Sequence, residues 1–262
     1  MELQNLQIGF IGSGRITNIL LSAWQKQNID FNGVLVFDIQ PEKSQVLASR
    51  YQGVQTVASY AELVEKSDLL FLAIHPHELA DVLKQIKSKL SDNKFVVSLA
   101  PKITIEKIHQ TLNHKLPLAR VIPNVPCFIG KGYTVFALSE EVNPDLERLL
   151  KEMLQPLGVI KKVNENLLES YATITGMGPT YIWFIFYELY QQALKTGLSD
   201  DEAKTAVNEM IKGASETLFK SGIPYEQVLD LIPSYPFKEK EEAIKKIYAD
   251  SISKLYSKLK NK

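Results

Sequence analysis

The chain has 262 residues, 45% apolar and 23% charged, with 30 Lys+Arg balancing 30 Asp+Glu and a single cysteine. This length suits one or two domains that bury a core without staples, and one cysteine excludes an intramolecular disulfide. Zero net charge argues against nucleic acid bound through a bulk field; no run nears about 18 apolar residues and no basic region precedes the first one, which reads as a cytoplasmic protein with no membrane span or signal peptide.

In chain order, short apolar runs occur at Leu6–Ile11, Val34–Phe37, Leu69–Ile74, Phe95–Leu99 and Ala119–Ile122. They are nearly continuous rather than alternating, the pattern of strands covered on both faces of a parallel sheet. The gaps between them suit crossover helices. Two further runs, Tyr133–Leu138 and Val159–Val163, flank a helical pattern at Pro144–Leu154. From Glu165 the strands give way to helices at about 166–196, 200–220 and 238–259, with a shorter one near 225–231. Ser199 and Glu202 form a capping box for the second of these. The last carries Ile244, Ile247, Tyr248, Ile252, Leu255 and Leu259 on one face and lysines on a solvated one. Residues Tyr181–Tyr190 are apolar all round and need cover on every side, most simply from a partner subunit. The division predicted is an α/β domain over 1–162 and a helical domain over 163–262.

The first strand runs into Gly12-Ser13-Gly14-Arg15-Ile16-Thr17, a G-x-G-x-x-[G/A] pattern with Thr at its last place. The first glycine permits a tight turn and the second lets backbone approach a pyrophosphate, which the following helix N-terminus attracts. Thr17, larger than Gly or Ala, implies slightly looser packing of helix on strand. The second strand ends at Asp38, 24 residues after Gly14, where a carboxylate can accept from ribose hydroxyls and repel a 2′-phosphate. That favours NADH slightly over NADPH, although Arg15 or Lys43 could hold a 2′-phosphate. The plainer role for Asp38 is to cap the helix starting near Pro41.

Several motifs then resemble the 1-pyrroline-5-carboxylate reductases. Ile8-Gly9-Phe10-Ile11-Gly12-Ser13-Gly14 is similar to their opening. Ala73-Ile74-His75-Pro76-His77 resembles their Ala-Val-Lys-Pro-Gln, and Val97-Ser98-Leu99-Ala100 their Val-Ser-Ile-Ala. Arg120-Val121-Ile122-Pro123-Asn124-Val125-Pro126 is similar to their Arg-Val-Met-Pro-Asn-Thr-Pro, and Gly130-Lys131-Gly132 to their Gly-Glu-Gly. Thr175-Gly176-Met177-Gly178-Pro179-Thr180-Tyr181 resembles their Ser-Gly-Ser-Gly-Pro-Ala-Tyr. The likeness runs from about residue 6 to 234. It implies a Rossmann-type dinucleotide-binding domain followed by an all-helical dimerisation domain. It also implies NAD(P)H-dependent reduction of a cyclic imine to L-proline, at a site shared between subunits of a homodimer or larger assembly.

On this resemblance the cofactor residues are Gly12, Ser13, Gly14, Arg15, Ile16, Asp38, Ala73, Ile74, His75, Pro76 and Asn124, and the substrate residues are Thr175, Gly178, Ser234 and Lys238. No catalytic residue and no metal ligand is assigned. The family's substrate loop, Ser-Pro-Gly-Gly-Thr-Thr, stands here as Ser234-Tyr235-Pro236-Phe237-Lys238-Glu239. Without glycines it offers no backbone anion nest, though Lys238 could hold a carboxylate as a point charge. Two alternatives therefore stay open: a paralogue reducing another imine or a carbonyl compound, and a non-catalytic nucleotide-binding regulatory protein.

Among other residues, His75 and His77 alternate on one face of an extended segment, and His75 is a candidate proton donor near the nicotinamide. Cys127 reads as a structural thiol, and Tyr181 and Trp183 read as core.

Overall fold

The computed structural model describes residues 2–92 and 94–260. The strands are β1 (Gln7–Ile11), β2 (Gly33–Phe37), β3 (Val54–Thr56), β4 (Leu69–Leu72), β5 (Phe95–Ser98), β6 (Leu118–Ile122), β7 (Gly132–Leu138) and β8 (Gly158–Lys162). The helices between them are α1 (Arg15–Lys26), α2 (Pro41–Arg50), α3 (Tyr60–Lys66), α4 (Pro76–Ile86), α5 (Ile105–Leu112) and α6 (Pro144–Leu154). All eight strands join one sheet in the order β3-β2-β1-β4-β5-β6-β7-β8. It is parallel except where β6 meets β7, whose pairing is antiparallel. The five runs read as parallel strands do pair in parallel, and the connection over Val125–Ile129, too short for a crossover helix, reverses the chain into β7. The three-residue β3 shows no apolar run because Gln55 and Thr56 are exposed at the sheet edge.

Both faces of the sheet are buried, which is why its strands read as continuous apolar runs. On one face Phe10 stacks on Phe71 at 4.6 Å beside Trp24, whose indole N–H donates to Met153 O at 2.8 Å. On the other, α3, α4 and α5 bury Leu63, Leu79, Leu83, Ile86 and Ile108 against Ile11, Leu70, Leu72 and Val96.

The helix expected over 166–196 is not continuous. It is α7 (Leu168–Tyr171), a π-helical turn over Ala172–Gly176 and α8 (Gly178–Lys195). The Met177 amide reaches back five residues to Ala172 O at 3.1 Å. Then follow α9 (Asp200–Lys220), α10 (Tyr225–Asp230) and α11 (Glu241–Lys260), a 3-10 turn at Lys238–Lys240 replacing the predicted start of the last helix. Ser199 and Glu202 cap α9 as the sequence predicts. The chain forms two compact units: one runs to Met177 and includes the segment from Tyr256, and the other is Gly178–Leu255. In the second unit the Tyr248 hydroxyl donates to Tyr181 O at 2.5 Å. No helix among the described residues is long and apolar enough to cross a membrane.

Candidate functional site

The site is built at the carboxyl ends of β1, β2, β4 and β5. Gly12 sits at φ +102°, and a Cβ there would strike the Ala73 carbonyl, so the turn out of β1 requires glycine. Gly14 ends the turn as N-cap of α1, and a Cβ on it would meet nothing within 4 Å. This is open space for a ligand to approach backbone. No side chain caps α1 and its first turn holds no acid, so its free amides face that space.

Three side chains set the loop. Thr17 is buried, and its hydroxyl donates to Gly12 O at 2.6 Å. The hydroxyl of this larger residue thus bonds back to the loop it follows. The Ser13 hydroxyl meets that of Ser44 on α2 at 2.8 Å. The Asp38 carboxylate accepts from the Ser13 amide at 2.8 Å and from the Gln40 amide at 2.9 Å. Asp38 thus joins the end of β2 to the glycine loop and also caps the approach to α2. A carboxylate offers about four acceptor sites, so it keeps capacity for a ribose hydroxyl.

Two adjoining cavities make one cleft. The smaller, about 140 Å³, lies among Gly12, Gly14, Asp38, Tyr60, Ile74 and Glu78. Burial pushes the Tyr60 hydroxyl's pKa up, and the Glu78 and Asp38 carboxylates add to that, so Tyr60 stays a neutral donor at physiological pH. The larger, about 680 Å³, runs from Ser13, Arg15, Ile16 and Lys43 past Ala73, His75 and Pro76 to Leu99 and Pro101. The cleft thus gathers the predicted cofactor residues from Gly12 to Ile16, Asp38, and Ala73 to Pro76. Its glycine turn, open helix N-terminus and terminal carboxylate fit a dinucleotide. His75 is exposed at the N-cap of α4, its amide donating to Glu78 at 3.1 Å. His77 lies inside α4, not on an extended segment, because Pro76 starts the helix between the two; the rings stack at 5.7 Å. Among the described residues no cluster of three or more His, Cys, Asp or Glu could hold a metal.

Asn124 does not line this cleft. Its Oδ1 accepts the Tyr133 amide at 3.0 Å, and its Nδ2 donates to the Thr175 carbonyl at 3.1 Å. It braces the π turn, where Thr175 also donates its hydroxyl to Tyr171 O at 2.8 Å. Cys127 is buried with its thiol 3.3 Å from the Thr134 hydroxyl, and burial pushes its pKa up. Gly178 opens the second unit, which also holds Ser234 and Lys238, both exposed. No residue of the Ser234–Glu239 stretch has positive φ, so the backbone there forms no nest. Trp183, read as core, is 48% exposed in the single chain, and α8 buries none of its residues.

Sequence reasoning missed one group. Arg120 on β6 is fully buried and donates to Glu165 at 2.9 Å and Glu169 at 2.7 Å. The available signal was a charged residue inside the apolar run Leu118–Ile122.

Residues 7–102 match the sequence family described as NADP oxidoreductase, coenzyme F420-dependent, and residues 165–235 match that described as pyrroline-5-carboxylate reductase dimerisation. The chain is 26% identical to the pyrroline-5-carboxylate reductase of Corynebacterium melassecola over 218 residues, 82% of this chain and 80% of that protein. It is 26% identical to pyrroline-5-carboxylate reductase 1 of Bacillus spizizenii, over 87% of this chain and 77% of that one. Its fold is similar to that of the Plasmodium falciparum pyrroline carboxylate reductase crystallised with NADP bound, at a TM-score of 0.84 and 23% identity over 99% of this chain and 98% of that chain.

Proposed function

The chain belongs to the pyrroline-5-carboxylate reductase family and is an NAD(P)H oxidoreductase, and from that premise we propose that it reduces the C=N bond of 1-pyrroline-5-carboxylate to give L-proline. The observation that carries the reading is the single cleft joining Gly12–Ile16 and Asp38 to Ala73–Pro76. When bound, the reduced nicotinamide supplies the hydride. The chain's own residues bind and orient. The glycine loop and α1 amides hold the pyrophosphate, and Asp38 holds the adenosine ribose. His75 lines the cleft, and in this reading it donates the proton to the imine nitrogen. By resemblance Thr175, Gly178, Ser234 and Lys238 are the substrate candidates, and Asn124 holds the first of them through the Thr175 carbonyl.

We also propose a slight preference for NADH, because the Asp38 carboxylate meets the ribose where a 2′-phosphate would have to sit. The domain division is proposed at residues 162/163, just past the last strand, Gly158–Lys162, with the helical part mediating assembly as a homodimer or larger. No nucleic acid or membrane partner is part of this reading.

A second reading, reduction of a different imine or a carbonyl compound, is favoured by one observation. The stretch Ser234–Glu239 lacks the glycines and the positive φ angles that an amide nest for the substrate carboxylate needs. Titration with NADH and NADPH, followed by addition of 1-pyrroline-5-carboxylate, separates the two. Loss of reduced-nicotinamide absorbance on addition supports the proline reading. Tight cofactor binding without oxidation removes that substrate, and turnover of another imine or carbonyl compound establishes the alternative.

A further inference from the structure

Arg120, Glu165 and Glu169 form a charged cluster that the cofactor cleft does not include. The guanidinium donates to both carboxylates, and each carboxylate oxygen that receives it also accepts a backbone amide: Ile105 N at 2.7 Å for Glu165 and Lys102 N at 3.2 Å for Glu169. Those amides bracket the end of the β5–α5 connection, where Lys102 is held at φ +73°. That connection begins with Leu99 and Pro101, which wall the larger cavity. In the sheet order β5 lies two strands beyond β1, on the side away from β2 and the Asp38 that follows it. With the ribose at Asp38, this wall faces the nicotinamide half of the cofactor. A buried ion cluster is weak evidence for stability, since apolar side chains of similar volume commonly serve as well. This one also leaves the Arg120 Nε buried without a hydrogen-bond partner.

We propose that Arg120, Glu165 and Glu169 are positioning residues, a clamp that fixes the Leu99–Thr104 wall so that the nicotinamide is presented to the substrate at reacting distance. This rests on the reductase reading. The clamp acts on the approach of the reacting atoms and leaves pyrophosphate and ribose binding to the glycine loop and Asp38.

The test compares Glu169→Ala and Glu169→Gln with the unmodified protein. Glutamine keeps an acceptor for Lys102 N–H and Arg120 while alanine removes it. In Glu169→Ala, amide exchange across residues 99–105 rises about tenfold or more while that of 12–17 is unchanged. NADH affinity stays within about threefold, kcat falls about tenfold or more, and the deuterium isotope effect on kcat with 4,4-dideuterated NADH grows. Glu169→Gln restores all of these. Should Glu169→Ala not fold, Arg120→Met with Glu169→Met removes the clamp without stranding a buried charge and gives the same exchange and kcat changes. Unchanged exchange at 99–105, or a kcat loss that glutamine does not restore, overturns the clamp. Failure of the unmodified protein to oxidise NADH with 1-pyrroline-5-carboxylate overturns the substrate reading instead, and the exchange arm still decides the clamp.

Discussion

The Asp38 carboxylate holds the Ser13 amide, and the proposed function gives it a second duty, facing the ribose. Replacing it separates them. Asp38→Ser weakens both cofactors by loosening the loop, but lifts the repulsion only for a 2′-phosphate. The ratio of kcat/KM for NADH over NADPH should fall about tenfold, which corresponds to about 1.4 kcal/mol. An unchanged ratio would reduce Asp38 to a structural cap. Thr17→Val keeps shape but leaves the buried Gly12 carbonyl without its donor, so it should cost about 1–3 kcal/mol in urea unfolding and raise KM for the cofactor. Cys127 bears on alkaline stability. Burial raises the folded thiol's pKa, so the folded protein holds that proton more tightly than the unfolded chain. Its contribution is complete below the ordinary thiol value near about 8.5 and is lost as pH rises through the folded value. The urea midpoint of the unmodified protein should therefore drop faster above about pH 8.5 than that of Cys127→Ala. Parallel curves would contradict the assignment of Cys127 as a buried neutral thiol.

Among the elements, those with both faces or one clean face buried were legible, and those defined by hydrogen bonding alone were not. The strand runs at β1, β4 and β5 are nearly continuous because α-helices cover both sides of them. The β3 strand escaped because its exposed Gln55 and Thr56 leave only Val54 to mark it. The π turn at Ala172–Gly176 carries no periodic signature; what sustains it is the Asn124 side chain on the Thr175 carbonyl, a contact across 51 positions of sequence. Glu165 and Glu169, four apart, look in sequence like a solvated helix face, and only the buried Arg120 shows otherwise. The glycine loop and Asp38 were readable because their chemistry is local, while the Arg120 cluster was not because it joins β6, the β5–α5 connection, the turn at Glu165–Leu167 and α7. Caps are local too. Asn143 accepts the Leu146 amide at 2.9 Å at the start of α6, so Asn143→Ala should cost about 1 kcal/mol in urea unfolding.

For the whole molecule, the helical half raises the question of cover. Phe184 and Tyr187 are each 65% exposed on α8, beside half-exposed Trp183. Single exposed apolar residues are ordinary, whereas a helix that is apolar all round needs a surface to bury it. A second copy of the chain is the occupant proposed above, and zero net charge offers no repulsion against it. Phe184→Glu with Tyr187→Glu should convert a sedimenting dimer or larger species into a monomer while leaving NADH binding at the cleft in place. An unmodified protein that sediments as a monomer at micromolar concentration would refute the assembly. Isotope transfer from cofactor to product reads the proposed chemistry itself. The unmodified protein is incubated with 1-pyrroline-5-carboxylate and 4,4-dideuterated NADH, so that either face delivers label, and the product is examined by mass spectrometry. The expected product is L-proline carrying deuterium at the former imine carbon, one atom for each cofactor oxidised; bound cofactor with no labelled proline would contradict imine reduction by this protein.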